Sequence, residues 1–342
     1  MAANRVKVAA SSPFLVRHSK PGWLVLGISF VMASILRVGM TPTAQASDPV
    51  DAGYRDFSYG SSGNSTPSGE KPESKLWWND GFWWGCLYND QSQSYHIYRL
   101  DMATQSWVDT ETILDDRNAS KADTLWDDQN RKLYVASHVF TNTGQPTSSS
   151  SQWGRLYRYT YSAGSQTYSL DAGFPVNVTR GKSETLVLAK DSWGRLWVTY
   201  VESQKVMVNR SVSSDLDWGV PFVLPVKSVP VSVAKDDISS IIAFQGSKIG
   251  VMWSNQLTST MYFAAHLDGD ADTVWQAEET ALPDSNCSGA CADDHINLKA
   301  AQTDGGGRVF AAVKTDQSAD QAPLFMLLVR DLQANWRSYV IG

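Results

Sequence analysis

The 342-residue chain is 42% hydrophobic, 19% charged and 11% aromatic, with 14 Trp, which excludes a disordered polypeptide, a collagen and a coiled coil. Its formal charge is −6, but residues 1–46 hold five of the 29 Lys and Arg and no acid, leaving 24 bases against 35 acids, or −11. That balance argues against a nucleic-acid partner, which needs a basic face.

Residues 1–46 read as an export signal peptide. Arg5, Lys7, Arg17 and Lys20 precede an apolar run from Trp23 to Leu36, and Ala44-Gln45-Ala46 offers small residues for cleavage. A spanning helix needs about 20 residues, and this run is about 14. The expectation is a secreted, extracellular or periplasmic protein with no stable membrane span after cleavage. Residues 47–72, rich in Gly, Ser and Pro, read as a flexible lead-in, with order from Glu73 onward.

From there one pattern recurs. Paired short strands are predicted at Leu76–Trp78 with Phe82–Trp84, Thr124–Trp126 with Lys132–Ala136, and Thr185–Leu188 with Arg195–Tyr200, then Ile241–Phe244 with Lys248–Trp253, and Ile296–Leu298 with Arg308–Val313. Turn residues such as Asn79-Asp80-Gly81 and Gln245-Gly246-Ser247 separate each pair, and the runs are too short and β-branched for helices. A third strand follows in each unit (96–100, 155–159, 205–208, 260–264 and 324–328). A polar loop closed by Trp107, Tyr168, Trp218, Trp275 or Trp336 ends the unit.

Those aromatics are spaced by 61, 50, 57 and 61 residues, a period that reads as an all-β propeller over residues 73–342 with five visible repeats, five- or six-bladed. Most of the Trp content then belongs to packing, leaving Trp153 and Trp193 in loops where an indole can stack on a sugar ring. In an oxidising compartment Cys287 and Cys291 can pair across three residues, whereas Cys86 in an apolar run reads as a buried thiol.

The closing loops, among them Asp101–Trp107, Ser213–Trp218, Asp268–Trp275 and Asp331–Trp336, resemble the Asp-box hairpin of sialidases and related BNR-repeat propellers. In that hairpin the Asp caps a turn and the Trp packs between blades. The resemblance implies a carbohydrate or glycoconjugate partner. It also implies a glycoside hydrolase with arginines for a substrate carboxylate, a Tyr–Glu nucleophile and an acidic acid/base.

By type and position Arg117 and Arg180 match the arginines, while Tyr200 with Glu202, two apart on one strand, match the nucleophile pair. The fourth and fifth units carry Ala234-Lys235 and Ala292-Asp293 where a third arginine would stand. The residues themselves supply a further pattern, Lys121-Ala122-Asp123, Lys182-Ser183-Glu184 and Lys235-Asp236-Asp237, with Asp294 and the variant Glu73-Ser74-Lys75.

Such a ring of carboxylates at a channel mouth provides general acid and base groups in Asp123, Glu184 and Asp237, with Lys121, Lys182 and His138 as binding groups. The alternative is that each acid caps its own strand, making the protein a lectin-like or protein-interaction propeller without catalysis. Asp268, Asp270, Asp272 and Glu279 fall at acidic positions of a calcium loop, although Thr273 stands where its Gly belongs.

Overall fold

The computed structural model describes residues 71–342 apart from 118, 228, 288, 302–306, 320 and 321. The export signal, 1–46, and the lead-in up to residue 70 lie outside the described residues. Among those described there is no α-helix, and the chain forms five antiparallel sheets in sequence order.

The first sheet takes strands Leu76–Asn79, Phe82–Asn89, Ser94–Asp101 and Ser106–Asp115. The second takes Ser120–Asp127, Lys132–Val139 and Arg155–Ser162, with a fourth edge in two pieces, Thr167–Leu170 and Val176–Asn177. The third has Val187–Lys190, Leu196–Glu202 and Lys205–Ser214, edged by Asp217–Trp218 and Phe222–Val223. The fourth has Ser239–Phe244, Lys248–Asn255, Thr260–Leu267 and Glu279–Leu282, and the fifth Ile296–Ala300, Val309–Lys314, Phe325–Arg330 and Trp336–Val340. A two-residue pair, Gln145–Pro146 with Gly181–Lys182, stands apart from these.

First strands of consecutive sheets lie side by side from the first sheet to the fifth, which makes the fold a β-propeller. Alternation along each strand sends successive residues to opposite neighbours. Leu133 and Val135 pack with Trp84 and Ile97 of the first sheet. Between them Tyr134 and Ala136 join Leu188 and Val198 of the third. Trp197 and Val208 meet Val251 and Trp253, and Met252 and Phe263 meet Val309 and Leu328.

The recurrent aromatics sit in these joints. Tyr168 lies edge-on to Trp84 at 5.0 Å, Trp275 to Trp197 at 6.3 Å, and Trp336 to Phe263 at 5.4 Å. Trp107, in the first of the described sheets, packs over Gly85 of its own sheet. Two of the hairpin acids cap their own turns: Asp101 accepts from the Ala103 and Thr104 amides, and Asp331 from those of Gln333 and Asn335.

At the first turn Asp80 and Gly81 both have positive φ, 54° and 80°, the geometry a two-residue hairpin demands. In the third unit the innermost strand starts at Val187, two residues later than predicted. The Leu186 amide instead donates to Glu73 at 3.3 Å and that of Leu188 to Asp123 at 2.8 Å. Cys287 and Cys291 form a disulfide, and Cys86 is buried, its thiol pushed up to about 12 by burial.

Candidate functional site

The end of the channel where the innermost strands begin, here the upper end, gathers most of the predicted acids around the segment Lys71–Lys75. The Lys71 ammonium bridges Glu184, at 2.7 Å, and Asp294. Next along, Glu73 accepts from Lys75 at 2.9 Å and meets His138 Nε2 at 2.7 Å, while His138 Nδ1 contacts the Ser183 carbonyl at 2.9 Å. Asp123 accepts from the Ser74 amide at 2.5 Å and the Leu188 amide at 2.8 Å.

Burial alone would raise the Glu73 carboxyl, but the Lys75 and His138 charges outweigh it and hold it well below the usual range. Asp123 has no such counter-charge at contact distance, and burial pushes it up to about 7 against the two amide bonds. Burial also works to raise Asp294, yet hydrogen bonds to His295, Asp293 and Lys71 hold it below the ordinary range.

A second group lies on the same end. Tyr200 and Glu202 project from one side of the third sheet's second strand, and Gly181 approaches Glu202 so closely that a Cβ there would lie 2.7 Å from Oε2. Both the Tyr200 hydroxyl and Glu202 Oε2 are buried without a hydrogen-bond partner. Burial raises the Tyr200 hydroxyl, as does the Glu202 charge, while exposed Arg180 opposes both that rise and the burial-driven rise of Glu202. Tyr200, Glu202 and Arg180 are therefore the predicted residues that the fold assembles into one polar group with unmet hydrogen-bonding capacity.

The other candidates are distributed. Asp237 caps its own strand, accepting from the Ala234 amide at 2.6 Å and the Ser254 hydroxyl at 2.7 Å. Arg117 closes on Asp115 through Nε and Nη2 and on the Trp153 carbonyl through Nη1, so its fork is spent within the protein rather than offered to a substrate. Lys121 is buried with its ammonium 4.8 Å above the Phe140 ring. Lys182 sits in the two-residue pair opposite Gln145.

Of the two loop indoles, Trp153 is half-buried and donates to the Thr147 carbonyl at 2.7 Å. Trp193 is 62% exposed, with the Arg195 guanidinium 4.8 Å over its ring and Gly269 against it. It stands near a cavity of about 710 Å³ at the opposite, lower end of the channel, lined by Lys190, Phe244, Gln245, Lys248 and Asp268.

The calcium-loop acids do not converge. Asp268 accepts from Ser192, Asp272 pairs with Arg210 at 2.5 Å, and Glu279 is held by Arg330 and Trp336 of the fifth sheet. The hairpin directs these side chains to different sheets, whereas a calcium site needs them around one point. Asp293, Asp294 and His295 do bring ligand atoms within 4.8 Å of one another, but the Lys314 and Lys71 ammonium groups already neutralise the two carboxylates.

Lys71 is the site residue that the sequence pattern does not single out. Lys71 falls inside the lead-in by composition, and only the Glu73-Ser74-Lys75 variant of the repeated charge pattern hints that this segment belongs to the channel.

No family model matches the chain, and no curated protein matches it. Among solved structures it is similar to the polysaccharide lyase Uly1 (11% identity over 88% of this chain and 78% of that one, TM-score 0.48) and to a mutant of AofleA from Arthrobotrys oligospora (12%, 81% and 74%, 0.48). It is also similar to a mutant of the NanB sialidase from Streptococcus pneumoniae (11%, 81% and 45%, 0.38). No helix among the described residues is long and apolar enough to cross a membrane.

Proposed function

We propose that this is an exported propeller that acts on carbohydrate bearing an acidic group, as a glycoside hydrolase working at the upper end of the channel. In this reading Arg180 holds the substrate carboxylate, Glu202 takes the Tyr200 proton, and the phenolate attacks the anomeric carbon while a second carboxyl protonates the leaving oxygen. The observation that carries it is the buried, unsatisfied pair of Tyr200 hydroxyl and Glu202 Oε2 beside Arg180. A Glu whose affinity for protons is raised by burial is suited to the role of base.

A second reading, a lectin-like propeller without turnover, is favoured by the 1% exposure of Tyr200, which leaves the hydroxyl little access to a sugar. A glycan array followed by product analysis on the hits separates the two. Turnover lost in Tyr200→Phe and Glu202→Gln, with binding weakened in Arg180→Ala, supports the hydrolase. Binding without product in the unaltered protein overturns it and leaves the lectin.

A further inference from the structure

The first sheet carries a second cluster of reactive side chains, apart from the Tyr200–Glu202 group. Ser92 lies in the turn between its second and third strands, His96 on the third strand and Asp109 on the fourth. The Ser92 hydroxyl is 2.8 Å from His96 Nε2, and Asp109 Oδ2 is 2.9 Å from His96 Nδ1. An ionised carboxylate can only accept, so Nδ1 carries the ring proton and Nε2 is left to accept from the Ser92 hydroxyl. A nucleophile, a base and an orienting acid thus stand in series at hydrogen-bond distances.

The backbone is bent where this contact is made. Tyr98 pairs with Asp109 and Ile97 with Thr112, so Thr110 and Glu111 are extra residues on the fourth strand, and Glu111 has a φ of 61°. A bulge of this kind re-aims a side chain, and the Glu111 amide donates to Asp109 Oδ1 at 2.7 Å. Asn89 fixes both ends of the cluster. Its Nδ2 donates to Asp109 Oδ2 at 2.8 Å, and its Oδ1 accepts from the Gln91 and Ser92 amides at 2.9 and 3.0 Å. Ser94 also lies 3.3 Å from His96 Nε2, but it is buried, as is the imidazole, whereas Ser92 is exposed and is the hydroxyl a substrate can reach.

We propose that Ser92, His96 and Asp109 form a serine esterase site for short-chain carboxylic esters. Because Ser92 stands on an exposed turn, the substrate that fits it is a small acyl group projecting from a larger molecule rather than a ligand enclosed in a pocket. Ser92 Oγ bonds to the acyl carbon as its proton passes to His96 Nε2. The ester C–O bond then breaks, and the leaving alcohol takes that proton. Water, deprotonated by the same imidazole, hydrolyses the acyl-Ser92 ester, which releases the carboxylic acid and restores the serine. Asp109 is the positioning residue, holding the tautomer that leaves Nε2 free to accept.

Treatment of the full-length chain with diisopropyl fluorophosphate, read by mass spectrometry, tests this, since an activated serine oxygen displaces fluoride from phosphorus. The expected result is an adduct on Ser92 that is absent in Ser92→Ala and forms about 100-fold more slowly in His96→Gln. Hydrolysis of p-nitrophenyl acetate should follow the same dependence. In Asp109→Asn labelling should also slow, and its rise with pH, which comes from freeing the imidazole to act as base, should be lost; a carboxylate that only braced the turn would leave that profile unchanged. No adduct on Ser92, or one that forms equally fast in His96→Gln, overturns the proposal. Should His96→Gln fold poorly, Ser92→Ala alters only an exposed hydroxyl, and p-nitrophenyl acetate turnover that is unchanged in it overturns the proposal equally.

Discussion

Glu73 and His138 meet at 2.7 Å with both side chains wholly shielded from solvent, and through them the segment ahead of the first sheet is fastened to the second. Because His138 also reaches the Ser183 carbonyl, a single imidazole links three separate stretches of chain around the channel. Buried charges in low dielectric persist only when their partners are in place.

His138→Ala should therefore destabilise the protein strongly. Removing one member of a buried pair costs about 3–5 kcal/mol, and here Lys75 and the Leu186 amide remain to Glu73, which places the loss near the lower figure. Urea unfolding checks it, with Glu73→Gln/His138→Ala expected to recover part of the loss.

Asp123 sets a pH dependence of definite sign. Its carboxyl is raised from 3.8 to about 7 in the folded protein, so between those values the folded state holds a proton that the unfolded chain releases. The stabilisation is complete below about pH 4 and is lost as pH climbs through 7. Asp123→Asn, which resembles the protonated form, should gain stability relative to the unaltered protein as pH rises over that window. Thermal unfolding at pH 4, 5.5 and 7 measures the difference, and a constant gap would contradict it.

Tyr200→Phe deletes a buried hydroxyl that has no partner. No hydrogen bond is broken, so the melting temperature should hold or rise. Turnover, if the Tyr200 oxygen is the nucleophile, should disappear in the same variant. A clear fall in melting temperature would show the hydroxyl to be structural.

Gly250 lies beneath the Phe263 ring, where a Cβ would come 2.2 Å from Cζ. Gly250→Ala should cost about 1–3 kcal/mol by overpacking the joint between the fourth and fifth sheets, and Gly250→Ala/Phe263→Leu should restore much of it. Calorimetry on the two variants is sufficient.

The disulfide between Cys287 and Cys291 closes a loop of few residues, so loop-closure entropy gives it only about 2 kcal/mol. Cys287→Ser/Cys291→Ser should fold with a melting temperature a few degrees lower.

Much of the architecture was legible in the sequence because each strand announces itself locally. The pairs Phe82–Trp84, Lys132–Ala136 and Lys248–Trp253 all fall within observed strands, flanked by turn residues whose chemistry is short-range. The third unit's first strand begins at Val187 rather than Thr185, and on its open edge the Leu186 and Leu188 amides donate to Glu73 and Asp123, partners distant in sequence that no local pattern announces. The site shows the same division. Tyr200 and Glu202 share a side because alternation is local. The partners of Asp123 and Glu184 depend on which segments the ring brings together, and no spacing along the chain encodes that.

Each joint between neighbouring sheets holds at least one indole: Trp77 and Trp84 at the first, Trp218 at the second, Trp197 and Trp275 at the third, Trp336 at the fourth. The protein thus carries a separate built-in fluorophore at every seam. Replacing all but one seam's Trp with Phe would turn emission wavelength into a local gauge, able to tell whether the blades part together or peel away in turn.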